Sequence, residues 1–373
     1  MLEKSQSQWY KLVDENTVDS PALLIYSERV SHNIDQLVGM VDDPGRLRPH
    51  MKTNKSREAA KMLLDRGIVK FKCATIAEAE TLATSGAKDI LLAYQPSTVK
   101  LARLIQLIKA FPTIKFSCLI DNEESARKFG TMAQEHQMTI DLYIDINLGM
   151  GRTGILPGQP ALALFRYIQS LDGLEAKGLH AYDGHFRDAD FEIRTQRCDT
   201  AFQEIEKLRD QLSKEGHQVT IVAGGTPTFP IHARRSEIDC SPGTFIYWDQ
   251  GYSETCKEQP FIPAALVMTR IISKPSENTV CLDLGHKSIA PENPLDQRVR
   301  FLNAEVVKFL GQSEEHLVVE VNPGHQWSVG DVWYGVPIHI CPTVALYEEG
   351  HEVVSGSVVS TWRTVGRDRS ITF

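Results

Sequence analysis

Six stretches of this 373-residue chain hold side chains able to do chemistry. The segment PHMKTNK carries Lys52, followed by Thr53, Asn54 and Lys55. A lysine at the end of a strand, if desolvated, is an amine that can form a Schiff base; a solvated rim lysine is the plain alternative. LGMGRTG holds Gly149, Gly151 and Gly154 at GxGxxG spacing, with Asp172 and Glu175 about 20 residues on, the outline of a dinucleotide fingerprint. Pro157 and Pro160 interrupt the chain before a helix can start on those glycines, which counts against an oxidoreductase built on them. Arg152 in the same loop offers a guanidinium to a phenolate or carboxylate oxygen, or to a surface salt bridge.

HAYDGHFRD gathers His180, Tyr182, Asp183, His185, Arg187 and Asp188, an aromatic beside acid and base groups that could stack on a ring and move protons. AGGTPT places Gly224, Gly225 and Thr226 where backbone amides and a hydroxyl could cradle an anion, and Gly243 and Thr244 of CSPGTF could complete it; tight turns would also use such glycines. PIHICPT sets His339 and Cys341 two apart, on one face if the segment is a strand, which suits a metal ion with open positions or a buried histidine beside a free thiol.

These groups need elements to hold them. From Pro21 to about residue 225, eight short apolar or β-branched runs alternate with helical patterns: ALLIY, LRPHMK, KFKCAT, DILLAY, KFSCLID, DLYIDIN, EAKGLHAY and TIVAGG. That alternation predicts an α/β fold, a (β/α)8 barrel of the TIM type; an open doubly wound sheet shares the pattern. Thr75 and Glu78 form a capping box before Ile76, Ala79, Leu82 and Ala83, and Gly86 closes that helix. In a barrel the rim at the carboxyl ends of the strands carries function, and most of the residues above fall there. Beyond about residue 250 the chain turns to long β-rich runs without a convincing helix. The expected organisation is a cofactor barrel over residues 16–250 and an all-β domain over residues 251–373 carrying the metal pair, with residues 1–15 available to pack against it.

Composition narrows the function. An apolar share of 42% with 24% charged residues fits a folded soluble chain, and a net charge of −8 provides no polycationic field for nucleic acid. The first residues lack an apolar leader core and no run is long enough to span a bilayer. Seven scattered cysteines without CxxC argue against a disulfide framework, so the expectation is a cytoplasmic protein without membrane or nucleic-acid partners.

A Schiff-base lysine, an anion cradle, a ring-stacking aromatic and a rim arginine are the groups that hold pyridoxal 5'-phosphate. On these motifs the chain resembles the D-threonine aldolase and D-serine dehydratase group, whose fold is that of alanine racemase. The likeness runs from PALLIY through PHMKTNK, KFKCATIAEAE, GMGRTG, YDGH, AGGTPT and CSPGT to DLGHK, SEEH and HICPT. It implies that Lys52 bonds the cofactor, that Arg152 faces its ring oxygen, that Tyr182 lies by the ring, and that Gly224, Gly225, Thr226, Gly243 and Thr244 hold its phosphate. It also implies a divalent metal, zinc, manganese or magnesium, on His339 and Cys341. In the racemases an arginine before the PG pair faces the pyridine nitrogen; Ser241 stands there in this chain, which argues against plain racemisation. Asn54 is the second departure, where a histidine commonly follows KT.

The resemblance thus implies a lyase acting on D-β-hydroxy-α-amino acids. In the aldolase reading, His185 or a metal-bound hydroxide takes the β-hydroxyl proton and cleavage gives glycine and an aldehyde. In the dehydratase reading, an ammonia-lyase of the D-serine type, Lys52 takes the α-proton instead. Cys341 leans toward the dehydratase and zinc, and the flanking segments toward the aldolase. A homodimer is implied, with the metal pair serving its own barrel or a partner's. Small relatives that bind the cofactor without turnover lack the long β-rich region found here.

Overall fold

The computed structural model describes residues 8–373. Residues 1–7, the opening of the stretch searched for a leader and for packing against the β-rich region, lie outside the described residues. Two compact units emerge. The barrel unit comprises Ile34–Lys52, Arg57–Gly243 and Val365–Phe373; the β unit comprises the described residues up to Asn33, Thr53–Ser56 and Thr244–Thr364. Among the described residues no helix is long and apolar enough to cross a membrane.

The barrel unit is built on seven parallel strands paired in chain order: β2 (Lys70–Cys73), β3 (Asp89–Leu92), β4 (Lys115–Ile120), β5 (Ile140–Asp145), β6 (Leu174–Ala181), β7 (Thr220–Ala223) and β8 (Ile238–Cys240). Residues 47–50 form the eighth stave. Leu47 bridges Cys240 on one side and His50 bridges Lys72 on the other. Arg48 N–H donates to Cys240 O at 2.8 Å, and Lys72 N–H to Pro49 O at 3.0 Å. The expected barrel class is therefore present, with two staves reassigned. ALLIY leaves the barrel, and Ile238–Cys240, too short to be read from the sequence, enters it. LRPHMK is not a regular strand, because it turns into a 3-10 segment at Met51–Thr53.

Helices cross between the strands where their caps permit. Thr75 Oγ1 accepts from Glu78 N–H at 3.0 Å, the Glu78 carboxylate takes the Ala74 N–H at 2.6 Å, and Gly86 ends the Ile76–Ser85 helix with φ +107. The sequence motif and the observed cap agree.

Alternation along the strands lines the barrel with polar groups. Arg48 is 1% exposed, donates to Asp89 at 2.6 and 3.0 Å, and also reaches Asp239 at 3.2 Å, where Lys70 joins at 3.0 Å. Leu91, Leu119, Tyr143 and Val222 pack together as an apolar cluster. Two residues further along from Lys70, Asp239 and Tyr143 stand Lys72, Ser241 and Asp145, in the part of the barrel that carries the candidate site.

In the β unit, β1 (Ala22–Tyr26) lies between two other strands. It pairs antiparallel with β9 (Ala265–Ser276) and parallel with β15 (Glu349–Val354). The nine-stranded sheet continues through β10 (Thr279–Leu282), β13 (Leu317–Val321) and β12 (Val306–Gln312) on one side and ends in β16 (Ser357–Arg363) on the other. β14 (Val332–Pro337) branches from β9 and carries β11 (Val299–Phe301). All five residues of β1 are buried, with Leu24 and Tyr26 packed on Tyr10, Leu266 and Met268. A five-residue apolar run suits a two-sided position in either sheet, so its periodicity could not assign it.

Candidate active site

In the barrel unit the site begins at Lys52, half-buried in the turn after the closing stave, its N–H donating to His50 Nδ1 at 3.2 Å. The expected strand alternation of His50 with Lys52 is replaced by this turn. Arg152, exposed in the loop after β5, has its guanidinium 5.0 Å from the centre of the Tyr182 ring. The GxGxxG loop is occupied with itself. Asn147 Oδ1 accepts the N–H groups of Gly149 and Gly151, both at 3.0 Å, and Asp121 accepts that of Gly154 at 3.1 Å. With those donors committed and the next helix starting only at Gln159, the loop does not present the pyrophosphate cradle of a dinucleotide site.

Tyr182 is wedged between two glycines. A Cβ on Gly184 would lie 2.1 Å from the Tyr182 hydroxyl, and one on Gly225 would lie 3.0 Å from Cε2 of the ring. Gly225 thus brings the backbone of the 224–226 turn against the ring, and Gly224 adopts φ +72. Thr226 Oγ1 accepts from Gly243 N–H at 3.3 Å, joining the two glycine segments that the sequence offered as a cradle. An aromatic ring against a glycine turn, with a guanidinium over the ring and a half-buried lysine in the same unit, is a set of groups whose chemistry suits pyridoxal phosphate.

The turn is braced by Asp183, which is 1% exposed. Its Oδ1 accepts from Thr228 Oγ1 at 2.6 Å and Gly225 N–H at 3.4 Å, while Oδ2 lies 2.7 Å from His232 Nε2. Cys198 Sγ is 3.3 Å from the same nitrogen. Burial opposes ionisation of Asp183, yet His232 and these hydrogen bonds hold its carboxyl below the usual range. Among the described residues, Asp183, Cys198 and His232 are the one group of three metal-capable side chains within 4.8 Å of one another. Their mutual hydrogen bonds account for the cluster without an ion.

His185, two residues on, has a buried Nδ1 with no partner, and burial lowers its pKa despite the nearby Asp183 charge. A neutral imidazole of this kind can accept a proton.

Lys72 and Asp145 are among the site residues not foreseen. Lys72 is 2% exposed; its Nζ is 2.9 Å from Ser241 Oγ, 3.2 Å from His180 Nε2 and 5.4 Å from the Tyr182 ring centre. Asp145 Oδ1 in turn lies 2.7 Å from His180 Nδ1. Burial opposes the Asp145 charge, but His180, Thr153 and Lys72 outweigh it and keep the carboxylate ionised. Burial, together with the Lys72 charge, lowers the pKa of His180, so its Nδ1–H donates to Asp145 and Nε2 accepts from Lys72. The signal in the sequence was the spacing of Lys70 and Lys72, which puts both on the inner face once KFKC is known to be a barrel stave.

The metal candidates lie in the β unit, and not on a strand as expected. Pro337 ends β14; His339 is the N-cap of the short Ile340–Val344 helix and Cys341 is in its first turn. The imidazole hydrogen-bonds Cys341, and its Nδ1 is 2.5 Å from Glu292 Oε1. Burial pulls the His339 pKa down, but Cys341, Glu292 and Asp249 outweigh it and raise the value to about 9. Cys341 Sγ is 3.0 Å from Thr53 Oγ1 and 3.5 Å from Thr244 Oγ1, so Thr244 here faces the thiol. An imidazole and a thiol with carboxylates beside them are a donor set that fits a divalent ion of the zinc kind.

Comparison with known proteins adds to this geometry. The family model "Alanine racemase, N-terminal domain" matches residues 25–250, and a serine dehydratase domain model matches residues 264–353. The chain is 25% identical over 373 residues to the 3-hydroxy-D-aspartate aldolase of Paracoccus denitrificans (strain Pd 1222), covering 96% of this chain and 94% of the relative. It is 28% identical over 361 residues to the D-threonine aldolase of an Arthrobacter species, covering 94% and 93%. Among solved structures, D-threonine aldolase from Filomicrobium marinum superposes with a TM-score of 0.86 at 25% identity over 94% of this chain and 96% of that one. The D-threo-3-hydroxyaspartate dehydratase from Delftia sp. HT23 gives 0.80 at 21% identity over 93% and 98%; a cysteine-to-alanine variant of such a dehydratase is described in a metal-free form. The chain belongs to the alanine racemase N-terminal domain family, within the group that contains D-threonine aldolase and the serine dehydratase domain.

Proposed function

We propose that the protein is a pyridoxal phosphate- and divalent-metal-dependent lyase acting on D-β-hydroxy-α-amino acids by retro-aldol cleavage. The observation that carries this reading is the barrel site itself, where a half-buried Lys52 amine shares one unit with Arg152 on the Tyr182 ring and a glycine turn tied by Thr226 and Gly243. Two aldolases that align over nearly their whole length support it.

Pyridoxal phosphate, when bound, supplies an electron sink for charge released at the α-carbon, and a divalent ion supplies a Lewis acid for the β-hydroxyl. Lys52 holds the cofactor through its amine, Arg152 balances the ring oxygen's charge, and the 224–226 turn with Gly243 orients the phosphate. The Thr244 hydroxyl lies 3.5 Å from Cys341 Sγ, so the part Thr244 takes in that cradle falls to its backbone. His339 and Cys341 hold the metal, with Glu292 orienting the imidazole at 2.5 Å. His185, kept neutral by burial, takes the β-hydroxyl proton as the Cα–Cβ bond breaks. Because both substrate classes named for the relatives carry a β-hydroxyl, the chain's own β substituent is assigned only as hydroxyl-bearing.

One observation favours a dehydratase, the thiol of Cys341 beside His339. In that reaction Lys52 takes the α-proton and the β-hydroxyl leaves. Purified protein loaded with pyridoxal phosphate and manganese or zinc, incubated with D-threonine and with 3-hydroxy-D-aspartate, separates the two by NMR. Glycine with acetaldehyde or glyoxylate supports the aldolase. 2-Oxobutyrate or oxaloacetate with ammonia supports the dehydratase, and no turnover of either substrate refutes the lyase reading.

A further inference from the structure

Neither reaction above uses Lys72, and its setting is costly. It is 2% exposed, and its hydrogen-bond partners are a hydroxyl and an imidazole, not a carboxylate. Burying a lysine amine without a direct counter-ion disfavours its charged form. Its nearest carboxylate link runs through His180, whose other nitrogen is held by Asp145 at 2.7 Å. Lys72 and Arg152 also share the Tyr182 ring, at 5.4 and 5.0 Å from its centre.

We propose that Lys72 sets the charge of the cofactor site in this barrel, acting through its hydrogen bonds to Ser241 and His180. This rests on the cofactor reading given above. The hydroxyl of Ser241 is the coupling element. It accepts from Lys72 Nζ at 2.9 Å and donates to Ala223 O at 3.3 Å, so a change in the amine's charge reorients the hydroxyl dipole inside the barrel.

Every charged group around the amine has a defined sign. Burial and the positive charges of Lys52 and Arg152 lower the Lys72 pKa, Asp145 and Asp183 oppose them, and the balance falls at about 7. His180, itself held neutral, transmits the Asp145 charge without adding one. The amine therefore changes charge close to neutral pH, inside the range in which a bound pyridoxal phosphate is followed by its visible absorbance.

The test is a pH titration of that absorbance in the loaded wild type, Lys72→Met, Lys72→Arg and Asp145→Asn, with far-UV ellipticity confirming each fold. Removing the cation in Lys72→Met should raise the midpoint by about one pH unit, the size expected when a like charge leaves a site. Asp145→Asn, which removes the balancing anion, should lower it. Lys72→Arg, which fixes the charge, should keep the midpoint at or below the wild-type value. A purely structural lysine would disturb the variants in one common direction or not at all. Midpoints equal to wild type in Lys72→Met and Asp145→Asn overturn the proposal. If Lys72→Met does not fold, the Lys72→Arg and Asp145→Asn pair decides: a lowered midpoint in Asp145→Asn supports the proposal and an unchanged one overturns it. Wild type that gains no visible band with pyridoxal phosphate refutes the cofactor reading instead, with the variants giving no band either.

Discussion

Replacing Asp183 tests whether the brace behind the glycine turn holds the barrel together. Asp183→Ala strips the acceptor from Thr228 Oγ1, Gly225 N–H and His232 Nε2 in a region almost closed to water, since Asp183 and the His232 side chain are each 1% exposed. Each buried donor left without its acceptor costs about 1–3 kcal/mol, so losing the carboxylate from all three should cost about 3–5 kcal/mol, chiefly because the groups left behind are desolvated and unpaired. Asp183→Asn keeps a carbonyl oxygen for Thr228 and Gly225 and loses only the charge toward His232, so its cost should be nearer 1–3 kcal/mol. All five tryptophans, at positions 9, 248, 327, 333 and 362, lie in the β unit, so their fluorescence follows that unit. Far-UV ellipticity, weighted toward the helices of the barrel unit, should carry the shift in urea. The pH dependence has a fixed sign: the carboxyl is held below its unfolded value, so its stabilisation is complete above about pH 4 and is lost as pH falls through the folded pKa. The wild-type advantage over Asp183→Asn should therefore be full at pH 7 and shrink below about pH 4. An Asp183→Ala protein that loses less than about 1 kcal/mol would refute the assignment of Asp183 as the brace.

Three further outcomes are expected. Lys52→Ala, dialysed after exposure to pyridoxal phosphate, should show no visible absorbance; a variant that stays yellow removes Lys52 from the cofactor bond. Chelator should abolish turnover while leaving the visible spectrum unchanged, and Cys341→Ala should need more zinc to recover; full activity in excess chelator removes the metal from the reaction. His185→Gln should slow aldol cleavage by about 10²–10⁴-fold. Because burial lowers the His185 pKa, the acid limb of the wild-type rate should lie below the ordinary histidine value of about 6.5, and an acid limb above it contradicts His185 as the base.

What the sequence disclosed and what it withheld follow the range of the forces involved. The Thr75 to Glu78 cap is written in four consecutive residues, and the structure forms it as read. β1 and residues 47–50 depend on partners far along the chain. ALLIY joins strands that begin at Ala265 and Glu349, whereas residues 47–50 close on Cys240 and Lys72. A short apolar run contains nothing that distinguishes those destinations. The same limit hid the chemistry of Lys72. In the string KFKC it is one of two lysines in an apolar stretch, and a solvated edge is the ordinary reading of such a pattern. Only pairing β2 with the closing stave turns its side chain inward, toward residues more than 100 positions away, at His180 and Ser241. PIHICPT shows the opposite case. Its His339 and Cys341 do come together, but through a cap and a first helical turn and not through strand alternation. The spacing was legible because two residues apart is close in any backbone. The geometry was not, because the helix there draws on Asp249, whose carboxylate accepts the Ile340 N–H at 3.2 Å from 91 residues away.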